Sequence, residues 1–187
     1  MGGVSDGFAL EGFDVTGIDI VDAPKMVDYK HKFIQADMLS LKGTDFKGFD
    51  VVWGSPPCRD FSRMCSTSRK FWRGRWVEWK DSPNPDRGLN LVNAFLKFKE
   101  DANPKIWIME NVPRLANYVS KPTQINYIGK TMKRAFWGNF PHFLMPMQTT
   151  EPNKSAIRDP WLRAKIPLAC SRAFAKACKE QLVEVDV

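Results

Sequence analysis

An α/β fold, a mostly parallel sheet with helices on both faces, is what this 187-residue sequence predicts. Three observations carry that expectation. Short apolar runs bounded by polar or turn residues recur along the chain, as buried strands do. Stretches with apolar residues at helical spacing alternate with them. Two of the runs lead straight into proline-marked turns, Pro56-Pro57 and Val112-Pro113.

Taken in order, Val4 to Phe13 reads as a short helix with Phe8, Ala9 and Phe13 available for packing. Val15 to Ile20 reads as a strand ending at Asp19, and Phe33 to Ala36 as a second, ending at Asp37. Asp50 to Gly54 is the third strand. Asn84 to Glu100 carries Leu89, Val92, Phe95, Leu96 and Phe98 at helical spacing, and Asn103-Pro104 stops it. Ile106 to Met109 is the fourth strand. Beyond Asn117 the pattern weakens: Ala135 to Phe140 and His142 to Met145 read as strands near a sheet edge. Thr149 to Lys165, rich in proline and charge, reads as a linker or surface loop. Leu168 to Leu182 is a helix with an apolar stripe of Cys170, Phe174, Ala177 and Cys178, and Pro167 stands where a helix start tolerates it. The length makes one domain, 1–187, the default.

The net charge of +7 and pI near 9.3 favour a polyanionic partner. Between Arg59 and Lys80 stand Arg63, Arg69, Lys70, Arg73 and Arg75, interleaved with Phe71, Trp72, Trp76 and Trp79. That mixture suits phosphate neutralisation with stacking on bases. The alternative is a helix whose tryptophans pack inward while its arginines face water. No apolar run is long enough to cross a bilayer, and the N-terminus lacks a signal-peptide pattern, so the expectation is a soluble, cytoplasmic protein with no membrane partner. The cysteines, Cys58, Cys65, Cys170 and Cys178, form no Cys-x-x-Cys pair, and His31 and His142 stand apart, so no metal site is expected.

The chemistry-bearing stretch is Pro56-Pro57-Cys58-Arg59-Asp60-Phe61-Ser62. Each proline fixes φ, so the thiol at the end of the third strand is held in one orientation. The fourth strand runs into Glu110-Asn111-Val112. Ligands and chemistry collect at strand ends of open α/β sheets, so a rigid thiol and a carboxyl there suggest a nucleophile and an acid. The plainer alternatives are a structural cysteine and a carboxylate capping a turn.

Pro56-Pro57-Cys58 with Phe61-Ser62, followed about fifty residues on by Glu110-Asn111-Val112, resembles the cytosine-C5 DNA methyltransferase family, in its compact phage and prokaryotic form. The resemblance covers most of the chain and is firm from Gly2 to Val112. It implies a Rossmann-like domain, S-adenosylmethionine as methyl donor, and DNA as partner, with the target cytosine flipped from the duplex. Restriction–modification is the setting it suggests. Cys58 is implied as the nucleophile that adds to C6, and Glu110 as the acid at N3, its protonated form favoured by burial. Gly3, Asp19, Ile20, Asp37, Met38 and Pro57 are implied in cofactor binding: Gly3 in the glycine loop, Asp19 on the ribose hydroxyls, Asp37-Met38 by the adenine, and Pro57 on the methyl-donor side. Asp19 and Asp37 could equally cap the next turn. Arg59, Ser62, Arg69, Arg73, Arg75, Trp76 and Asn111 are the expected nucleic-acid contacts, with Asn111 also able to hold Glu110 or the cysteine loop.

The chain departs from the family in four places. Only Gly2-Gly3 match the Phe-x-Gly-x-Gly-Gly loop, and the first strand has no counterpart. Only Phe143 to Ile166 stands where a large target-recognition region is usual. Gln124-Ile125-Asn126 and Lys133-Arg134 are imperfect counterparts of a Gln-x-Arg-x-Arg motif. Ile166-Pro167-Leu168 replaces the Gly-Asn opening of the last helix. Two alternatives therefore stay open: the same chemistry on RNA such as a tRNA, and a non-catalytic nucleic-acid-binding remnant.

Overall fold

The computed structural model describes residues 2–26, 28–62, 69–72, 75–78, 83–128, 132–144 and 165–185. They fall into two compact units. The first comprises Met1–Leu41, Asn126–Met132 and Phe140–Val187; the second comprises Lys42–Ile125 and Lys133–Asn139.

In the first unit, helix α1 (Gly3–Leu10) starts behind Gly2 at φ 80° and is followed by a turn in which Gly12 takes φ 90°. Strands β1 (Thr16–Asp19) and β2 (Lys32–Gln35) pair in parallel, Asp19 opposite Gln35, across a connection that holds the short helix α2 (Ala23–Met26). The last helix, whose first residue is Leu168, packs on α1. A Cβ on Gly7 would lie 2.2 Å from Ser171 Oγ, so this approach demands glycine. Phe174 is the hub, with ring contacts to Phe8, Phe140 and Phe143. Cys170, Phe174 and Cys178 are buried as the spacing predicts, but Ala175 rather than Ala177 completes the stripe.

The second unit holds strands β3 (Val51–Gly54), β4 (Arg69–Trp72) and β5 (Arg75–Glu78), helix α3 (Pro85–Ala102) and strand β6 (Ile106–Asn111). Strands β7 (Gln124–Ile128) and β8 (Met132–Asn139) follow, and the terminal helix of the first unit becomes α4 (Leu168–Val185). The sheet order is β3-β6-β8-β7, with β3 parallel and β8 antiparallel to β6. Helix α3 begins where Asn84 accepts from the N–H groups of Asp86 and Arg87, with Pro85 at its first position, and ends at Asn103 in the left-handed region. Its buried side, Val92 and Phe95 with Phe61, packs on Met109, Leu115, Ala135 and Trp137.

Four expectations need adjustment. Strands expected in one sheet are divided between a pair, β1-β2, and a sheet of four with β3 at its edge. The helical alternative for the basic, aromatic segment fails: β4 and β5 form an antiparallel hairpin, Phe71 opposite Trp76. His142 to Leu144 forms no strand, because Pro141 supplies no donor to continue the ladder, and Met145 lies outside the described residues. Strand β7 was not expected. The anticipated linker lies outside the described residues except for Lys165.

Candidate active site

Cys58 is held by its neighbours on both sides. Strand β3 ends at Gly54, where an added Cβ would sit 2.3 Å from the Phe95 ring, so only glycine lets α3 close on the strand end. Two residues on, the Pro56 carbonyl accepts a 2.9 Å hydrogen bond from Asn111 Nδ2. Asn111 is 1 % exposed, and its Oδ1 accepts from the Val112 N–H at 2.9 Å. Beyond Cys58 the chain enters a 3-10 turn, Arg59–Phe61, in which the Cys58 carbonyl accepts from the Phe61 N–H at 3.1 Å. Phe61 is buried in the core under α3. Cys58 itself is half-buried and not disulfide-bonded.

Glu110 follows from the register of β6. Gly54 pairs with Met109 in parallel, so the Cys58 loop and Glu110 leave the carboxyl ends of adjacent parallel strands. Alternation sends Met109 toward α3 and Glu110 to the other face, with Ile108 and with Phe136, the cross-strand partner of Glu110. Arg134, two residues from Phe136, is diagonal to Glu110, within reach of a long side chain. Its Nε lies 2.9 Å from Glu110 Oε1, with side-chain exposures of 13 % and 12 %. The Nε–H does not aim at that oxygen, so the contact is an ion pair rather than an aligned hydrogen bond. Sequence reasoning discounted Arg134 as a poor motif match. The available signal was a cation on the strand that pairs with β6.

The turn after Cys58 carries a second unforeseen pair. Arg87 holds the Asp60 carboxyl below the usual range, its hydrogen bonds outweighing the opposing effect of burial, with help from the Asn84 N–H. Cys178, by contrast, is pushed up to about 12 by burial alone and is chemically quiet.

Among the expected nucleic-acid contacts, Arg59 is exposed and Ser62 half-buried beside the turn. Arg69, Arg75 and Trp76 stand on the hairpin strands, and Arg73 and Cys65 lie outside the described residues. The Asn111 amide is spent on the protein's own backbone. In the first unit, Asp19 and Asp37 leave the carboxyl ends of β1 and β2. One oxygen of each accepts a local backbone N–H, from Val21 and Leu39 respectively, as the capping alternative anticipates. Ile20 is exposed and Met38 half-buried beside them. Gly3 cannot carry a side chain, since a Cβ would lie 2.3 Å from the Ile166 carbonyl. Pro57 is exposed next to Cys58. A cavity of about 210 Å³ under α3, between Leu96, Trp107 and Trp137, includes none of these residues. Among the described residues no group of His, Cys, Asp and Glu could hold a metal ion, and no helix is long and apolar enough to cross a membrane.

Mixed α/β structure, with parallel-containing sheets and helices, is consistent with a Rossmann-like methyltransferase fold. The sequence profile of the C-5 cytosine-specific DNA methylases matches residues 1–144, and the chain belongs to that family. It is 31 % identical over 116 residues to the probable DNA (cytosine-5)-methyltransferase of Frog virus 3 (isolate Goorha), covering 59 % of this chain and 50 % of that protein. It is 28 % identical over 134 residues to the type II methyltransferase M1.HphI of Haemophilus parahaemolyticus, covering 66 % of this chain and 33 % of that one. The chain thus spans half or less of these relatives.

Proposed function

We propose that this chain transfers a methyl group to C5 of cytosine in DNA, with Cys58 as nucleophile and Glu110 as the acid at N3. One observation carries the reading: Cys58 and Glu110 stand at the carboxyl ends of paired parallel strands, and the Asn111–Pro56 hydrogen bond ties the two segments together.

C5 of cytosine is a poor nucleophile until something adds to C6. The Cys58 thiolate forms the C6–S bond while Glu110, which takes up a proton from water as its Arg134 pair loosens on substrate binding, gives that proton to N3, which leaves C5 electron-rich. C5 then takes the methyl group, a base removes the C5 proton, and the C5–C6 double bond re-forms as sulfur leaves and N3 returns its proton. S-adenosylmethionine supplies the methyl group. Asp19 and Asp37 each keep a carboxylate oxygen suited to ribose or amino hydrogens, and exposed Ile20 offers an apolar surface for a ring. Arg134 fixes the Glu110 carboxyl on the face away from α3. Arg59 and the basic hairpin supply cations for phosphates.

The test is tritiated methyl incorporation into duplex DNA and into tRNA, with Cys58→Ser as control. Label in DNA that is lost in Cys58→Ser, with DNA binding retained, supports the reading. Label in tRNA alone makes the substrate RNA. Label in neither, with S-adenosylmethionine shown to bind, makes the chain a binding protein.

A further inference from the structure

The Asp60 side chain is 8 % exposed, a charge nearly withdrawn from water two residues past Cys58. Burial at that level is costly for an unpaired carboxylate. Both oxygens are occupied. Oδ1 accepts from the Asn84 N–H at 3.0 Å and from Arg87 Nη2 at 2.6 Å; Oδ2 accepts from Arg87 Nε at 3.1 Å. A fork-on-fork pair of this kind fixes direction as well as distance. The first turn of α3 is itself fixed by the Asn84 cap. Gly88 lets that turn touch the cysteine segment, for a Cβ there would lie 2.6 Å from Phe61 Cζ and 3.0 Å from Asp60 Cβ.

The joint sits at an informative place. Between Ser62 and Pro83 the described residues are those of β4 and β5. The Asp60–Arg87 pair joins the turn that follows Cys58 to the first turn of α3. Phe61 already secures the segment by apolar burial, so holding the fold does not by itself call for a buried ion pair. Asn111 fixes the chain ahead of Cys58, at Pro56; the Asp60–Arg87 pair fixes it behind.

We propose that Asp60 and Arg87 are positioning residues for the reaction: their paired hydrogen bonds set the orientation of the Cys58–Arg59 turn. This rests on the reading of Cys58 as the nucleophile. On this reading the pair acts through the backbone of the turn.

The experiment measures the single-turnover rate of covalent adduct formation on duplex DNA containing 5-fluorocytosine, with S-adenosylmethionine, beside equilibrium DNA affinity. Arg87→Ala is expected to slow the adduct by about ten- to a hundredfold, the loss a misplaced nucleophile brings, with DNA affinity within about twofold. Arg87→Lys, which keeps the charge and loses the fork, falls between and serves if Arg87→Ala does not fold. The double variant Asp60→Asn/Arg87→Ala is no slower than the worse single one, because the two act as a unit. An unchanged adduct rate, a loss wholly in DNA affinity, or losses that multiply in the double variant overturn the proposal. Trypsin cleavage after Arg59, in the exposed turn itself, in the absence of DNA is a readout independent of the chemistry. Arg87→Lys should raise it about fivefold without a matching rise at other sites, on the scale expected when a local joint opens. If the wild-type chain forms no adduct, the reading of Cys58 fails, and the cleavage pattern still decides whether the joint orders the turn after Cys58.

Discussion

Replacing Asn111 by Asp keeps the shape and reverses one hydrogen bond. Oδ1 still accepts from Val112, but an oxygen now faces the Pro56 carbonyl that Nδ2 reached at 2.9 Å. At 1 % exposure water cannot repair the mismatch. The introduced carboxyl avoids repulsion only by holding its proton, so burial and the facing carbonyl raise its folded pKa by roughly 2–3 units above ~3.9. At ~1.36 kcal/mol per unit, the deficit against wild type is about 3–4 kcal/mol at pH 8. That is a large share of a typical ~5–15 kcal/mol stability. The sign runs with pH. A raised acid costs nothing below the unfolded pKa, and the cost grows until the folded pKa is passed, so at pH 5 it is only about 1.5 kcal/mol. Urea unfolding of both proteins at the two pH values measures this. Deficits equal within about 0.5 kcal/mol would show that the amide does not give its N–H to Pro56, and the anchor ahead of Cys58 would be gone.

Three further outcomes are expected. Iodoacetamide at pH 8 should label Cys58, which is half-buried, while Cys178, buried and pushed up to about 12, stays unlabelled until unfolding; equal labelling rates on peptide mapping contradict this. The stability difference between wild type and Asp60→Asn should persist from neutral pH down to about 4 and shrink below it, because a depressed carboxyl loses its contribution as pH falls through its folded value; a difference that stays constant to about pH 2 removes the ionic part of the pair. Gly88→Ala should destabilise by up to about 2 kcal/mol in urea titration: the helix gains roughly 1 kcal/mol, but overpacking against the 2 %-exposed Phe61 ring costs about 1–3 kcal/mol. A stabilised variant would mean that the α3–turn contact is looser than described.

What the sequence disclosed depended on the range of the signal. Strands β1, β2, β3 and β6 and helices α1, α3 and α4 have local causes, namely apolar periodicity, a cap at Asn84 and a stop at Asn103-Pro104, and each is found within a few residues of its expected bounds. The hairpin was obscured because basic and aromatic residues at mixed spacing suit a helix face as well as a ladder, and pairing partners decide between them. Strand β7 was missed because Ile125 and Tyr127 are exposed, so no buried alternation marks it. At the candidate site, Cys58 and Glu110 stand out in the sequence because prolines and strand ends flank them. Arg134 and Arg87 were not, since their roles arise from the cross-strand register of β8 and from the close approach of α3 to the Cys58 turn. Asp60, next to Cys58 in sequence, gained meaning only once Arg87 was placed.

The antiparallel ladder between β6 and β8 makes Glu110 and Arg134 partners by counting, Glu110 opposite Phe136 and Arg134 two steps further. Residues added between Asn117 and Thr123 would lengthen a surface excursion and leave that count intact, at a modest entropic charge. A single residue deleted between Arg134 and Phe136 would turn the guanidinium to the α3 side and strand the carboxyl. The protein can therefore tolerate drift in the length of this connection, while the spacing within β8 is fixed by the ion pair that Arg134 makes with Glu110.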